Sequence, residues 1–202
     1  MAEPTIKSPD TERKERVPPG QRKVSKMPVL QFDGVPGADL AKWSFRLFGL
    51  VAAERKLSWK ELQALPRVKL LADIHCVTGW SMLNTNWEGA PASELKQLVK
   101  IKPEARFALI HSADGYTTNL PLNELFAPDV IFAFNLEGKP LPPEYGYPLR
   151  LLAPRLYLWK SAKWATGVEF IAENRRGYWE ARGYHIHGDP WTEERYSRDE
   201  KE

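Results

Sequence analysis

The stretch Asp73-Ile74-His75-Cys76-Val77-Thr78-Gly79-Trp80-Ser81 holds the only cysteine of the chain. It closes an apolar run that starts at Val68, and a short continuous apolar run bounded by a glycine reads as a buried strand. The cysteine falls where strand gives way to turn, among small and polar residues, so its sulfur is presented to a cleft. Taken alone, a single cysteine behaves as a small buried apolar side chain. Its neighbours open two further roles. His75 and Thr78 could support a thiolate nucleophile, or the sulfur could be one soft ligand completing a metal held mainly by something else. One cysteine excludes an intramolecular disulfide and any site built from several thiolates. The remaining histidines, His111, His185 and His187, are too scattered to complete a zinc site made by protein alone.

Outward from this string, apolar and polar residues alternate over Trp43–Gly49, as in a half-buried strand. Ser58 and Glu61 form the S-x-x-E pattern that opens a helix, which Pro66 ends. Ala92 to Val99 reads as a short helix opened by Ser93, and Phe107–Ile110, Val130–Phe134 and Val168–Ile171 as strands. Leu149 to Leu158 alternates as a further strand with two prolines inside it. No repeat of fixed period appears. The fold class expected is α+β, mostly β with few short helices.

The 202 residues, 43% hydrophobic and 27% charged, suffice for one sizeable core, and no apolar run approaches the roughly 18 residues of a membrane helix. The net charge of +3 lies wholly before Pro28. A neutral body argues against the broad basic face of nucleic-acid binders. Residues 1–27 are rich in Pro, Lys, Arg and Glu with almost no large apolar side chain, so this segment reads as a disordered basic arm preceding a domain over 28–202. With no export signal visible, the chain reads as soluble and cytoplasmic.

Three more strings could carry chemistry. Gly146-Tyr147-Pro148-Leu149-Arg150 is followed by Trp159-Lys160-Ser161-Ala162-Lys163-Trp164. Arg150, Lys160 and Lys163, with the N–H groups of Ser161 and Ala162, would make a compact anion site. The alternative is a solvated basic face, but flanking tryptophans favour a half-buried edge where cations must be paired. Asp114-Gly115-Tyr116-Thr117-Thr118 reads as a turn entering an extended segment. The aromatic and histidine-rich Gly177–Trp191 is either a lid on a pocket or packing of the tail on the core.

Read together, the His75-Cys76-Val77-Thr78-x-Trp80-Ser81, Asp114-Gly115-Tyr116-Thr117-Thr118, Gly146-Tyr147-Pro148-Leu149-Arg150 and Lys160-Ser161-x-Lys163-Trp164 strings resemble the oxidoreductase molybdopterin-binding domain of the sulfite oxidase family. The similarity spans about Pro28 to Tyr196 and is strongest to the short heme-free bacterial sulfite oxidase-like oxidoreductases. It implies a molybdenum–molybdopterin cofactor, with Cys76 as the one protein thiolate on the metal. It also implies cofactor contacts at His75, His111, Ser112, Tyr145, Arg150, Ser161, Ala162 and Lys163. Tyr145 stands where relatives carry His or Asn, Tyr184 falls near the position of an active-site tyrosine, and Cys76, Tyr184 and Thr78 are the candidate catalytic residues.

Sulfite oxidases of animals and plants place an arginine about five residues beyond their ligand cysteine, where this chain has Gly79-Trp80-Ser81-Met82. With Thr78, Trp80 and Trp87, that points to a less cationic mouth and a neutral S- or N-oxide, because a desolvated anion needs a paired cation. The resemblance implies oxygen-atom transfer on a small molecule. Without a heme motif or an iron–sulfur cysteine set, electrons would pass through a separate partner. Two other readings stay open: an enzyme using Cys76 as a metal-free nucleophile, and a non-catalytic ligand-binding module.

Overall fold

The computed structural model of the chain describes residues 3–30 and 34–200. In chain order its elements are β1 (Thr5–Lys7), β2 (Arg22–Lys23), β3 (Ser44–Gly49), β4 (Arg55–Ser58), α1 (Trp59–Gln63), β5 (Val68–Cys76), β6 (Trp80–Pro91), α2 (Leu95–Leu98), β7 (Phe107–Ser112), β8 (Thr117–Pro121), α3 (Leu122–Leu125), β9 (Ile131–Leu136), β10 (Lys139–Pro140), β11 (Arg150–Leu152) and β12 (Ala165–Ile171). A seven-stranded sheet runs β1-β5-β6-β9-β10, with β2 added to β6 and β11 to β9, and a five-stranded sheet runs β4-β3-β12-β7-β8. The fold is α+β, mostly β, and no helix of the described residues is long and apolar enough to cross a membrane.

Successive side chains of a strand point to opposite faces, and β9 uses both. Phe132 and Phe134 join the core between the sheets, with Phe45 and Leu47 of β3, Ile110 of β7 and Phe170 of β12. Ile131 and Ala133 face the other way, into a second cluster with Leu70, Ile74 and Cys76 of β5 and Trp80 and Trp87 of β6. Each buried Leu, Ile or Phe contributes about 1.5–3 kcal/mol to holding these layers.

The Ser58 cap forms as expected: its N–H donates to Glu61 Oε2 at 2.8 Å while its hydroxyl accepts from the Glu61 N–H at 3.3 Å. The segment after β6 differs. Pro91, not Ser93, stands at its start, without a side-chain cap, and the chain makes a 3-10 turn over Ala92–Glu94 before α2. Of the alternating Leu149–Leu158 only β11 is strand; Pro154 offers no N–H to extend the ladder. The long β6 carried no strand signal because Asn84, Thr85 and Asn86 interrupt its apolar pattern. Pairing with β5 on one side and β9 on the other overrides that local composition.

The arm expected to be disordered is not a free arm. Its described residues lie along the body, with β1 pairing parallel to β5 and β2 parallel to β6. Arg16 donates to both carboxylate oxygens of the buried Asp73, at 2.8 and 2.7 Å, and Ser8 Oγ donates to Asp129 Oδ2 at 2.8 Å. Ladder hydrogen bonds and buried ion pairs need no large apolar side chain, so a composition poor in such residues does not preclude order. The arm also covers the back of β5. Asp73 and His75 point away from the Cys76 face, and there Asp10 Oδ2 comes within 3.7 Å of His75 Nε2.

Candidate functional site

Cys76 is the last residue of β5 and pairs with Trp80 of β6, leaving the loop Val77-Thr78-Gly79. Three-residue hairpin loops need a left-handed residue, which glycine supplies without a Cβ clash. Gly79 has φ +85° and its N–H donates to Cys76 O at 3.0 Å. The turn thus ends the strand with the sulfur at its tip, and Thr78 Oγ1 donates to Cys76 Sγ at 3.2 Å. Burial pushes the thiol up, against the opposing pull of Thr78 and of the Arg195 charge.

The sulfur opens on a cleft of about 340 Å³, within the range of small-molecule sites, roughly 300–1,000 Å³. Thr78 and Trp80 flank Cys76. Arg150, Ser161, Ala162 and Lys163 line the cleft further on, with Tyr145, Trp159, Trp164, Trp179 and Tyr184 as aromatic walls. The β7–β8 turn contributes Asp114 and Tyr116, and the N-terminal segment contributes Met27, Pro28 and Leu30.

A buried cation, Arg150, and a half-buried one, Lys163, face this space with no carboxylate in ion-pair contact. Arg150 donates to the carbonyls of Leu151, Tyr145 and Ser161 at 3.3, 3.1 and 2.9 Å, and burial brings its guanidinium down to about 10. Lys163 Nζ donates to the carbonyls of Leu30 and Glu144 at 2.8 and 3.0 Å, and burial, then the charge of Arg150, brings it down to about 8. Neither makes an ion pair among the described residues. Lys160, expected in the same cluster, is not part of it. Its Nζ donates to Glu180 Oε1 at 2.6 Å, to Asn119 O and Oδ1, and to Ile186 O.

Tyr184 stacks on Trp179 with ring centroids 5.2 Å apart and meets Trp159 edge-on at 5.0 Å. Burial raises its phenol pKa, and so do the neighbouring Tyr196 and Cys76. The aromatic tail is therefore both wall and packing. The histidines lie elsewhere. His75, opposite in parity to Cys76, is buried on the arm side with Nδ1 2.8 Å from Ser81 Oγ. His111 pairs with Glu169 at 2.9 Å against Phe48. Neither lines the cleft, nor does Ser112, whose buried Oγ has no partner. Trp87 is fully buried with Arg150 over its ring at 5.3 Å, so it supports the cation from behind rather than shaping the mouth. The nucleophile reading needs a base at the sulfur; among the described residues no histidine bonds it, and burial opposes the thiolate.

The sequence model of the oxidoreductase molybdopterin binding domain matches residues 32–179. The chain belongs to this family. It is an oxidoreductase whose cofactor is molybdenum–molybdopterin. It is 42% identical to the uncharacterized oxidoreductase YuiH of Bacillus subtilis, over 96% of this chain and 98% of that protein. It is 26% identical to the sulfite oxidase of Arabidopsis thaliana and 29% to the protein-methionine-sulfoxide reductase catalytic subunit MsrP of Ralstonia nicotianae, over 72% and 68% of this chain. The chain spans only 46% of each of those two proteins. Its fold matches the sulfane dehydrogenase SoxCD of Paracoccus pantotrophus with a TM-score of 0.64, at 22% identity over 69% of this chain and 41% of that one.

The donor set fits the cofactor. Arg150 and Lys163, neither in an ion pair, suit its phosphate, the buried and unpartnered Nε1 of Trp80 suits a polar ring system, and the Cys76 thiol lines the same cleft. The sequence missed Arg195, Gln21 and the N-terminal wall of the cleft. Arg195 lies in a charged tail with no motif, and Met27 lies at the end of a segment whose composition suggested disorder.

Proposed function

We propose that the chain carries out oxygen-atom transfer on a small uncharged S- or N-oxide, with Cys76 as the protein thiolate on molybdenum. The observation that carries this is the uncharged, aromatic character of the cleft at Cys76. Trp80, Trp159, Trp179 and Tyr184 line it, whereas the nearby cation, Arg195, donates to Val77 O and Pro19 O and stacks on Tyr157. With Arg150 and Lys163 taken up by the cofactor phosphate, a sulfite dianion entering there would lose hydration with no further free cation to replace it. Descent from a fold shared with MsrP agrees with an S-oxide.

Bound molybdenum–molybdopterin supplies two-electron oxygen-atom exchange with a substrate lone pair. Arg150 and Lys163 would hold the phosphate by charge-assisted bonds, with Ala162 beside them, whereas the Ser161 N–H is already donated to Leu158 O at 3.0 Å. Cys76 is the thiolate that the metal selects as a soft ligand, and the Thr78 hydroxyl fixes its rotamer by donating to the sulfur. Tyr184, on the cleft wall, is protonated at neutral pH as any phenol is, with burial raising its pKa further, and donates a hydrogen bond to the substrate oxygen. Tyr145 is held by its own bond to Met27 O at 2.8 Å and shapes the wall. Reduction of an S-oxide consumes two electrons and two protons and yields thioether and water. The electrons come from a separate carrier protein, because a chain with one cysteine holds neither an iron–sulfur cluster nor an attached c-type heme.

Protein from a host that assembles the cofactor should carry about one molybdenum per chain, and with a reduced dye it should turn over S-oxides in preference to oxidising sulfite. Faster sulfite oxidation would overturn the substrate reading. Cys76→Ser should lose more than about 100-fold in turnover, beyond what outer-sphere changes cost; unchanged turnover would remove the ligand assignment.

A further inference from the structure

The turn that carries Cys76 is clasped by both ends of the chain. From the N-terminal side, Gln21 Nε2 donates to Cys76 O at 3.0 Å and the Arg22 N–H donates to Gly79 O at 3.0 Å. From the C-terminal side, Arg195 Nη1 donates to Val77 O at 2.7 Å. The same guanidinium reaches Pro19 O at 3.3 Å and lies over Tyr157 at 5.1 Å, joining the two ends to each other. The approach is close: a Cβ on Gly20 would lie 2.9 Å from Arg195 Nη2 and 2.8 Å from Glu193 Oε1. Two successive carbonyls, those of residues 76 and 77, are thereby fixed by side chains that are distant in sequence and do not themselves line the cleft.

We infer that Gln21 and Arg195 are positioning residues for the Cys76 thiolate, setting the direction of its sulfur by holding the peptide planes that follow it. This rests on the reading of Cys76 as the molybdenum ligand. A hairpin tip with only its own Gly79 N–H to Cys76 O bond is free to rock; the two clasps remove that freedom. Partners of this kind orient ligands, and losing one costs about 10- to 100-fold in metal affinity or activity.

The experiment uses cofactor-loaded full-length chain carrying Gln21→Met, Arg195→Met, Arg195→Lys or Cys76→Ser. The readouts are the thiolate-to-molybdenum absorption band, the Mo(V) paramagnetic resonance spectrum and molybdenum retained on dialysis. Gln21→Met and Arg195→Met should each shift the band and the spectrum and speed molybdenum loss about 10-fold, while Arg195→Lys, which can still donate to Val77 O, should restore most of both. Lower melting temperature with the band and spectrum of the folded protein unchanged would show a merely structural role and overturn the inference. If Arg195→Met does not fold, Gln21→Met, which deletes one hydrogen bond, still decides it. A wild-type band that Cys76→Ser leaves in place would instead overturn the ligand reading itself.

Discussion

Lys160 and Lys163 sit three positions apart, the first buried and the second half-buried, and the molecule treats them in opposite ways. Lys160 is enclosed by Glu180, Asn119 and the Ile186 carbonyl, and Glu180 is itself bonded by Thr118 and Trp159. Lys163, beside Arg150, donates to two carbonyls, lies over the Trp164 ring at 4.3 Å and feels Asp114 and Glu144 without an ion-pair contact, at the edge of an open cleft. A buried charge is costly unless it is paired. The fold pairs Lys160 from within, tying the C-terminal aromatic wall to β8; it leaves Lys163 and Arg150 to be paired by an anion from outside. A cation's partner therefore distinguishes a structural lysine from a binding one.

The sharpest way to break this contrast is Lys160→Met. Removing one partner of a buried pair costs about 3–5 kcal/mol, a large share of the roughly 5–15 kcal/mol that holds a domain together. Urea unfolding should show it, and a loss near zero would place the two lysines in one class. Arg150→Met should shift the balance the other way, costing unfolding less than Lys160→Met, about 1–3 kcal/mol for the carbonyls left without their donor, while molybdenum retention falls about 10- to 100-fold. Full occupancy after dialysis would deny the cleft cations their role.

The smallest effect is in pH. Lys163 titrates at about 8 without an anion, and only its charged form, present below that pH, attracts one. Anion binding favours the charged form and moves the midpoint upward, so inorganic phosphate should bind the cofactor-free chain up to about ten-fold more weakly at pH 9, where Arg150 stays mostly charged, than at pH 7. Titration calorimetry on wild type and Lys163→Met would check it, since the variant should lose most of that dependence.

Much of the site was legible because its motifs are local. The position of Cys76 at a strand end follows from the apolar run before it and the glycine after it, and Arg150, Ser161, Ala162 and Lys163 all line the cleft. His75 was not legible as a buried back-face residue by its chemistry alone, although strand parity opposes it to Cys76. The separation of Lys160 from Lys163 depends on Glu180, far along the chain, and the order of the arm depends on pairing with β5 and β6.

The sequence by itself determined the α+β character, the family and the residue that ends β5, since short-range periodicity, turn chemistry and motif spacing are properties of neighbours. Only the tertiary structure decided which buried cations are neutralised, that the N-terminal segment walls the cleft, and that Gln21 and Arg195 clasp the cysteine turn. Those outcomes are set by hydrogen bonds and ion pairs between residues distant along the chain, 20 positions apart for Lys160 and Glu180 and more than fifty for the arm and the clasps, which neither composition nor local pattern encodes.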